Sequence, residues 1–114
     1  MKNMEDNIKY CTALELKELI DKGNCQIIDV REVSEYESVR IKDSKSVPLT
    51  TFEEKLNLID KKSPVYLQCG VGKRAQKAAE FLSDLGYKNL YVVEGGIKAW
   101  IDAGYPVEVG SSKS

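Results

Sequence analysis

Three short runs of apolar residues stand out along the chain, and none of them alternates with polar positions. Cys25 to Val30 (CQIIDV), Val65 to Gln68 and Leu90 to Val93 read as continuous apolar strands, the pattern of a sheet covered on both faces. Ile8 to Cys11 reads as a short edge strand. Between these runs the spacing becomes helical. Leu14, Leu16, Leu19 and Ile20 follow Thr12, an N-cap whose capping box is completed by Glu15, and Gly23 ends that helix. A second helical pattern runs from Gln76 to Leu85, placing Ala75, Ala78, Ala79, Leu82 and Leu85 near one face, with Gly86 as its C-cap. A third lies in EGGIKAWIDAG, a tight turn and short helix with Ile97, Trp100 and Ile101 inward.

The remaining stretches are less regular. REVSEYESVRI predicts a loop and a short helix beginning near Glu32 or Ser34. SKSVPL is a short extended piece, because Pro48 argues against a long central strand. Thr50 or Thr51 caps a helix carrying Phe52, Leu56 and Ile59, which stops at the turn from Lys61 to Pro64. Residues 1–7 and 110–114 are expected to be flexible, leaving one domain over 8–109 with no internal repeat or linker. Strands alternating with helices imply a parallel sheet with helices on both faces, which binds ligands beyond the carboxyl ends of its strands. Asp29, Cys69 and Glu94 fall at those ends.

Composition narrows the chemistry. The 114 residues suffice for a hydrophobic core, and 42% hydrophobic with 31% charged residues is an ordinary globular balance. Seventeen basic residues against 18 acidic ones give a net charge of −1, and no basic stripe is visible, so no nucleic-acid partner is expected. Histidine is absent, which rules out Cys-His and Ser-His-Asp sites built from this chain and removes the commonest metal ligand. The three cysteines contain no CxxC pair, so neither a zinc site nor a thioredoxin-type dithiol is expected. An odd, sparse thiol count suits a reducing compartment. The start MKNMEDNIKY lacks the apolar core of a signal peptide, and no apolar run is long enough to span a membrane. A cytoplasmic location is expected by elimination, with no cofactor and no metal.

Cys69 carries the candidate chemistry. It follows the apolar strand PVYLQ and precedes two glycines, a Lys-Arg pair and a helix. A thiol at a strand-to-helix junction, in a loop rich in free N–H groups and positive charge, forms an anion-binding cradle with a nucleophile at its floor. Inward N–H groups from Gly70 to Ala75 can stabilise a negative sulfur, and Gly70 and Gly72 permit tight curvature. Lys73 offers a point charge at the rim, and Arg74 can organise the loop or bind an anion. Cys11 and Cys25 read as small buried thiols, and Trp100 as a core anchor.

In order and spacing, several segments resemble the rhodanese family. They are Asp29-Val30-Arg31-Glu32 with Glu35-Tyr36, the loop from Cys69 to Arg74, Glu94-Gly95-Gly96 with Trp100, and Gly104-Tyr105-Pro106-Val107. The resemblance runs from about Ile8 to Val107 and implies a three-layer α/β fold with a central, mostly parallel five-stranded sheet. It also implies a thiosulfate sulfurtransferase. Cys69 would be the catalytic residue and accept sulfane sulfur as a persulfide, then pass it to cyanide or a thiol. Gly70, Val71, Gly72, Lys73, Arg74 and Ala75 would form the substrate loop, with Asp29, Arg31, Glu35, Glu94, Gly95 and Gly96 in support. Partners implied are a small sulfane donor, a thiol or cyanide acceptor and a possible protein acceptor or donor, with no membrane.

The chain departs from the family pattern at Gly70, where an arginine is frequent, and at Ala75, where serine or threonine is frequent. Val39-Arg40-Ile41 and Ser44-Lys45 replace the usual Gly-His-Ile and Gly-Ala. Arg40 and Lys42 are candidates to restore positive charge near the site. The departures leave an alternative open: a persulfide carrier or protein-interaction module with little activity on free thiosulfate. A phosphatase or arsenate reductase is set aside, because its loop is one residue longer than the Cys69–Arg74 loop.

Overall fold

The computed structural model describes residues 8–23 and 25–110. The stretches expected to be flexible lie outside those residues, apart from Gly110. Among the described residues, seven strands and four α-helices follow in chain order: β1 (Ile8–Cys11), α1 (Ala13–Asp21), β2 (Gln26–Asp29), α2 (Val33–Ser38), β3 (Val39–Arg40) and β4 (Lys45–Ser46). After a 3₁₀ segment (Leu49–Leu58) come β5 (Val65–Gln68), α3 (Lys73–Asp84), β6 (Leu90–Val93), α4 (Gly96–Asp102) and β7 (Glu108–Val109). Five strands form one sheet in the order β1-β6-β5-β2-β4, every pairing parallel. A separate antiparallel ribbon joins β3 to β7.

Side chains alternate across the sheet and feed two apolar layers. Ile28, Val30, Val65, Leu67, Leu90 and Val92 pack with Phe52, Ala75, Ala78, Ala79 and Leu82 on the α3 side. Ile27, Tyr66 and Val93 pack with Leu16, Ile97 and Trp100 on the side of α1 and α4. The result is the three-layer α/β architecture that the pattern predicts. Central strands buried on both faces explain why their sequences do not alternate.

Local signals act as expected at several ends. Thr12 Oγ1 accepts the Glu15 N–H (3.1 Å) while Glu15 Oε1 accepts the Thr12 N–H (2.9 Å), the predicted capping box. Glu32, rather than Ser34, is the N-cap of α2. Other expectations fail for physical reasons. The helix placed after Thr50 is 3₁₀, begins after Pro48 with no side-chain cap, and breaks at Thr51 and Lys55. The Thr50 hydroxyl bonds to the Glu32 carboxylate instead of a backbone N–H and so does not cap a helix. Helix α3 starts at Lys73, earlier than the Gln76 pattern, because Gly72 caps it in the left-handed region. Leu85 and Ile101, placed inward by periodicity, are 43% and 45% exposed. Leu85 lies past the end of α3, and Ile101 sits one helical step round from the buried Trp100.

Candidate active site

The site is assembled where β5 ends. Val65 to Gln68 are all buried, and this rigid strand delivers Cys69 to the floor of a loop with 1% of its surface exposed. The chain then reverses through Gly72 at φ +114°, a conformation glycine adopts without a Cβ penalty, and enters α3. That reversal aims backbone donors at the sulfur. Cys69 Sγ accepts the N–H of Gly72 at 3.0 Å and of Ala75 at 3.3 Å. The sulfur thus sits on the N-terminus of a 12-residue helix, where the dipole and free N–H groups stabilise negative charge.

The loop is clamped from behind by α4. Ile97 N–H donates to the Cys69 carbonyl at 2.8 Å, and Lys98 N–H to the Gly70 carbonyl at 3.2 Å. Gln68 Nε2 adds a further bond to the Cys69 carbonyl at 2.7 Å. Gly96 makes the approach possible, since a Cβ there would lie 2.3 Å from the Cys69 oxygen and 2.5 Å from that of Gly70. Gly95 precedes it in the turn that opens α4. Sequence reasoning missed Gln68 and Ile97; the available signal was a polar residue closing an otherwise apolar strand directly before the cysteine.

Arg74 does not point freely into the cradle. Its Nη1 and Nη2 donate to Glu35 Oε1 (2.7 Å) and Oε2 (3.1 Å), a two-pronged pair from α3 to α2. Glu35 Oε1 also accepts the N–H of Glu32 at 2.9 Å. The Arg74 hydrogen bonds hold the Glu35 carboxyl below the usual carboxylate range, and the same bonds raise Arg74. A Cβ on Gly70 would stand 3.1 Å from Arg74 Nη2, so the guanidinium lies against the position where the family often has an arginine. Val71, 59% exposed, and Lys73 face solvent at the mouth.

Three predicted supporters sit elsewhere. Asp29 and Arg31 form a buried pair, with Arg31 Nη2 on Asp29 Oδ2 at 2.7 Å and on the Val39 carbonyl at 2.6 Å. This pair ties the end of β2 to β3. Glu94 is exposed, and its N–H donates to the Cys11 carbonyl at 2.8 Å, on the β1 side. Burial first, then the charges of Glu15, Cys25 and Glu94, push the Cys11 thiol up to about 12. Burial pushes Cys25 up to about 11. Arg40 serves the ribbon rather than the site, bonding the Gly110 carbonyl (3.0 Å) and pairing with Glu108 (3.4 Å). Lys42 lies with Asp43 beside Ile20 and Cys25, remote from the cradle. Neither restores charge at Cys69. Among the described residues, no group of three or more His, Cys, Asp or Glu side chains is placed to hold a metal ion. No helix among those residues is long and apolar enough to cross a membrane.

A parallel five-stranded sheet, with a cysteine seated at the start of a helix and a Gly-Gly turn behind it, defines a class of cysteine-loop α/β domains. The rhodanese-like domain matches residues 12–103, and the chain belongs to that family. It is 35% identical over 99 residues to the tRNA uridine(34) hydroxylase of Hamiltonella defensa, covering 82% of this chain and 28% of that protein. It is 37% identical over 75 residues to the uncharacterized protein YqhL of Bacillus subtilis, covering 66% of this chain and 60% of that one. A rhodanese-like domain protein from Staphylococcus aureus has the same fold at a TM-score of 0.79 and 36% identity, covering 90% of this chain and 99% of that one. The chain therefore spans less than two thirds of the length of the first two relatives.

These relatives overturn two expectations. The hydroxylases, which also occur in Yersinia at 33% identity, perform a reaction distinct from sulfur transfer out of thiosulfate. The expectation of a thiosulfate sulfurtransferase is therefore corrected. The site offers the physical reason: the arginine expected to attract a small anionic donor is already neutralised by Glu35. The exclusion of a nucleic-acid partner is withdrawn as well, since those relatives act on tRNA. An even global charge had motivated it, and global charge says nothing about a partner bound through a small local surface.

Proposed function

We propose that this domain is a persulfide carrier that works between protein partners and has little activity on free thiosulfate. The observation that supports this reading most is the pairing of Arg74 with Glu35 beside an N–H-cradled Cys69. The cradle stabilises a thiolate or a terminal persulfide sulfur, while the loop keeps little net attraction for a small free anion. In the carrier step the Cys69 thiolate attacks the outer sulfur of a partner's cysteine persulfide. One S–S bond forms, one breaks, and the partner leaves as its thiolate. An acceptor thiolate then takes the outer sulfur from Cys69 by the same exchange. In this reading Gly70 to Ala75 hold the sulfur, Gly95 and Gly96 let α4 back the loop, Asp29, Arg31 and Glu35 brace the edge, and Glu94 braces the β1 side. Residues 8–109 are the working unit, in the reducing cytoplasm, where the three free cysteines remain thiols.

The test is intact mass of reduced protein after exposure to a peptide cysteine persulfide. Wild type is expected to gain about one sulfur, which an acceptor thiol removes, and Cys69→Ser is expected to gain none. Equal gain in both proteins, or none in wild type, overturns the carrier reading.

The relatives favour a second reading, in which the same thiol serves tRNA uridine(34) oxidation together with further protein segments. Incubation of the chain with tRNA and a cell extract lacking it, followed by nucleoside mass spectrometry, distinguishes the two. Restored hydroxylation that Cys69→Ser fails to support is the outcome expected of the second reading alone.

A further inference from the structure

The best-defined charged contact at the mouth of the site is internal. Arg74 occupies the space against Gly70, close enough for the Cys69 charge to act on it, yet both prongs of its guanidinium lie on Glu35. Glu35 is itself held in place by the N–H of Glu32, so its carboxylate cannot swing away without breaking the cap of α2. The side chains of the pair are 37% and 40% exposed, so an incoming reagent meets them both. Lys73 points to solvent, and Glu32 is engaged with Thr50. We infer that Glu35 is a specificity-determining residue that cancels Arg74 and sets the Cys69 cradle to discriminate against small free anions, in favour of neutral or partner-held electrophiles.

Gly70 is part of the same device. With no side chain there, the Arg74 guanidinium lies across the loop and reaches Glu35; a Cβ at that position would stand 3.1 Å from Nη2 and press on it. The inference deepens the carrier reading by assigning the selectivity of that site, and its biological meaning rests on that reading. Its physical content does not. A negative charge removed at Glu35 leaves an uncompensated guanidinium against the Cys69 loop, near enough for the Cys69 charge to act on it, which raises the local concentration of anions.

The test uses two alkylating reagents of the same reaction and different charge. In each, the Cys69 thiolate attacks a methylene carbon and iodide leaves; iodoacetamide is neutral and iodoacetate carries one negative charge. The rate ratio at Cys69, read by peptide mass spectrometry, cancels any change in thiolate fraction or loop access. Glu35→Gln keeps an oxygen for the Glu32 N–H and is expected to raise the iodoacetate-to-iodoacetamide ratio about fivefold at low ionic strength, a gain that high salt erases. Glu32→Gln removes the same charge nearby without freeing Arg74 and is expected to change the ratio by less than about twofold. Should Glu35→Gln not fold, Arg74→Gln carries the opposite expectation, a ratio several-fold below wild type, because Glu35 is then left uncompensated. Equal ratios in wild type and Glu35→Gln, or an unchanged ratio in Arg74→Gln, overturn the inference. Because alkylation involves no sulfur donor, failure of the persulfide experiment leaves this result standing, and the reverse holds too.

Discussion

At the scale of single residues, the loop setting of Cys69 was legible, and the partners of the charged side chains around it were not. A cysteine after an apolar strand and before Gly-x-Gly announces a strand-to-helix loop, and Cys69 accepts N–H bonds from Gly72 and Ala75 as that geometry demands. The partner of Glu35 could not be read, because Arg74 is 39 positions away and only folding brings the two together. Asp29 and Arg31 behave differently. Their pair is fully buried, so removing one member leaves the other charge without its counter-ion. Asp29→Asn is expected to cost about 3–5 kcal/mol in urea unfolding, whereas Asp29→Leu with Arg31→Met costs far less, since desolvation of the pair offsets much of its attraction. A double substitution as damaging as the single one would refute that account.

At the scale of elements, the informative contact is α4 against the Cys69 loop. Periodicity placed Ile97 and Trp100 inward correctly, but it could not reveal that Gly96 is pressed onto two carbonyls. Gly96→Ala is expected to destabilise the fold by about 1–3 kcal/mol or more through overpacking, and to raise the alkylation rate of Cys69 as the loop loosens. Gly104 provides the control. It also has positive φ, at +82°, but nothing lies within 4 Å of a Cβ there. Gly104→Ala should cost only the backbone penalty of about 1–2 kcal/mol, with Cys69 reactivity unchanged. If the two variants loosen the loop equally, the close approach of α4 is not what holds it. The 3₁₀ segment after Pro48 teaches the converse lesson: Phe52, Leu56 and Ile59 have helix-like spacing, yet the Thr50 hydroxyl and two broken residues make another structure cheaper.

At the scale of the whole molecule, the apolar layer on the α1 and α4 side holds two thiols whose burial makes stability depend on pH. Cys11 and Cys25 stand at about 12 and about 11 in the folded state, against an ordinary thiol value of 9.0. Folding therefore keeps protons that the unfolded chain releases first. Stability from these thiols is complete below the ordinary value and is lost as pH rises through the folded values. The urea midpoint is expected to fall steadily as pH rises from about 9 towards about 11, and Cys11→Ala should flatten that slope. An unchanged slope in that variant would place the alkaline sensitivity elsewhere.

By itself the sequence determined the parallel α/β class, the central strands, the capping box at Thr12 and the place of Cys69 at a strand-to-helix turn, because each is encoded by neighbours within one or two turns of chain. Only the tertiary structure decided that Arg74 is neutralised by Glu35, that Glu94 serves the β1 side, that Arg40 belongs to the β3–β7 ribbon and that Gly96 backs the loop. Those are contacts between segments far apart in sequence. Local propensity carries no record of which distant charge or carbonyl the packed layers will bring within reach.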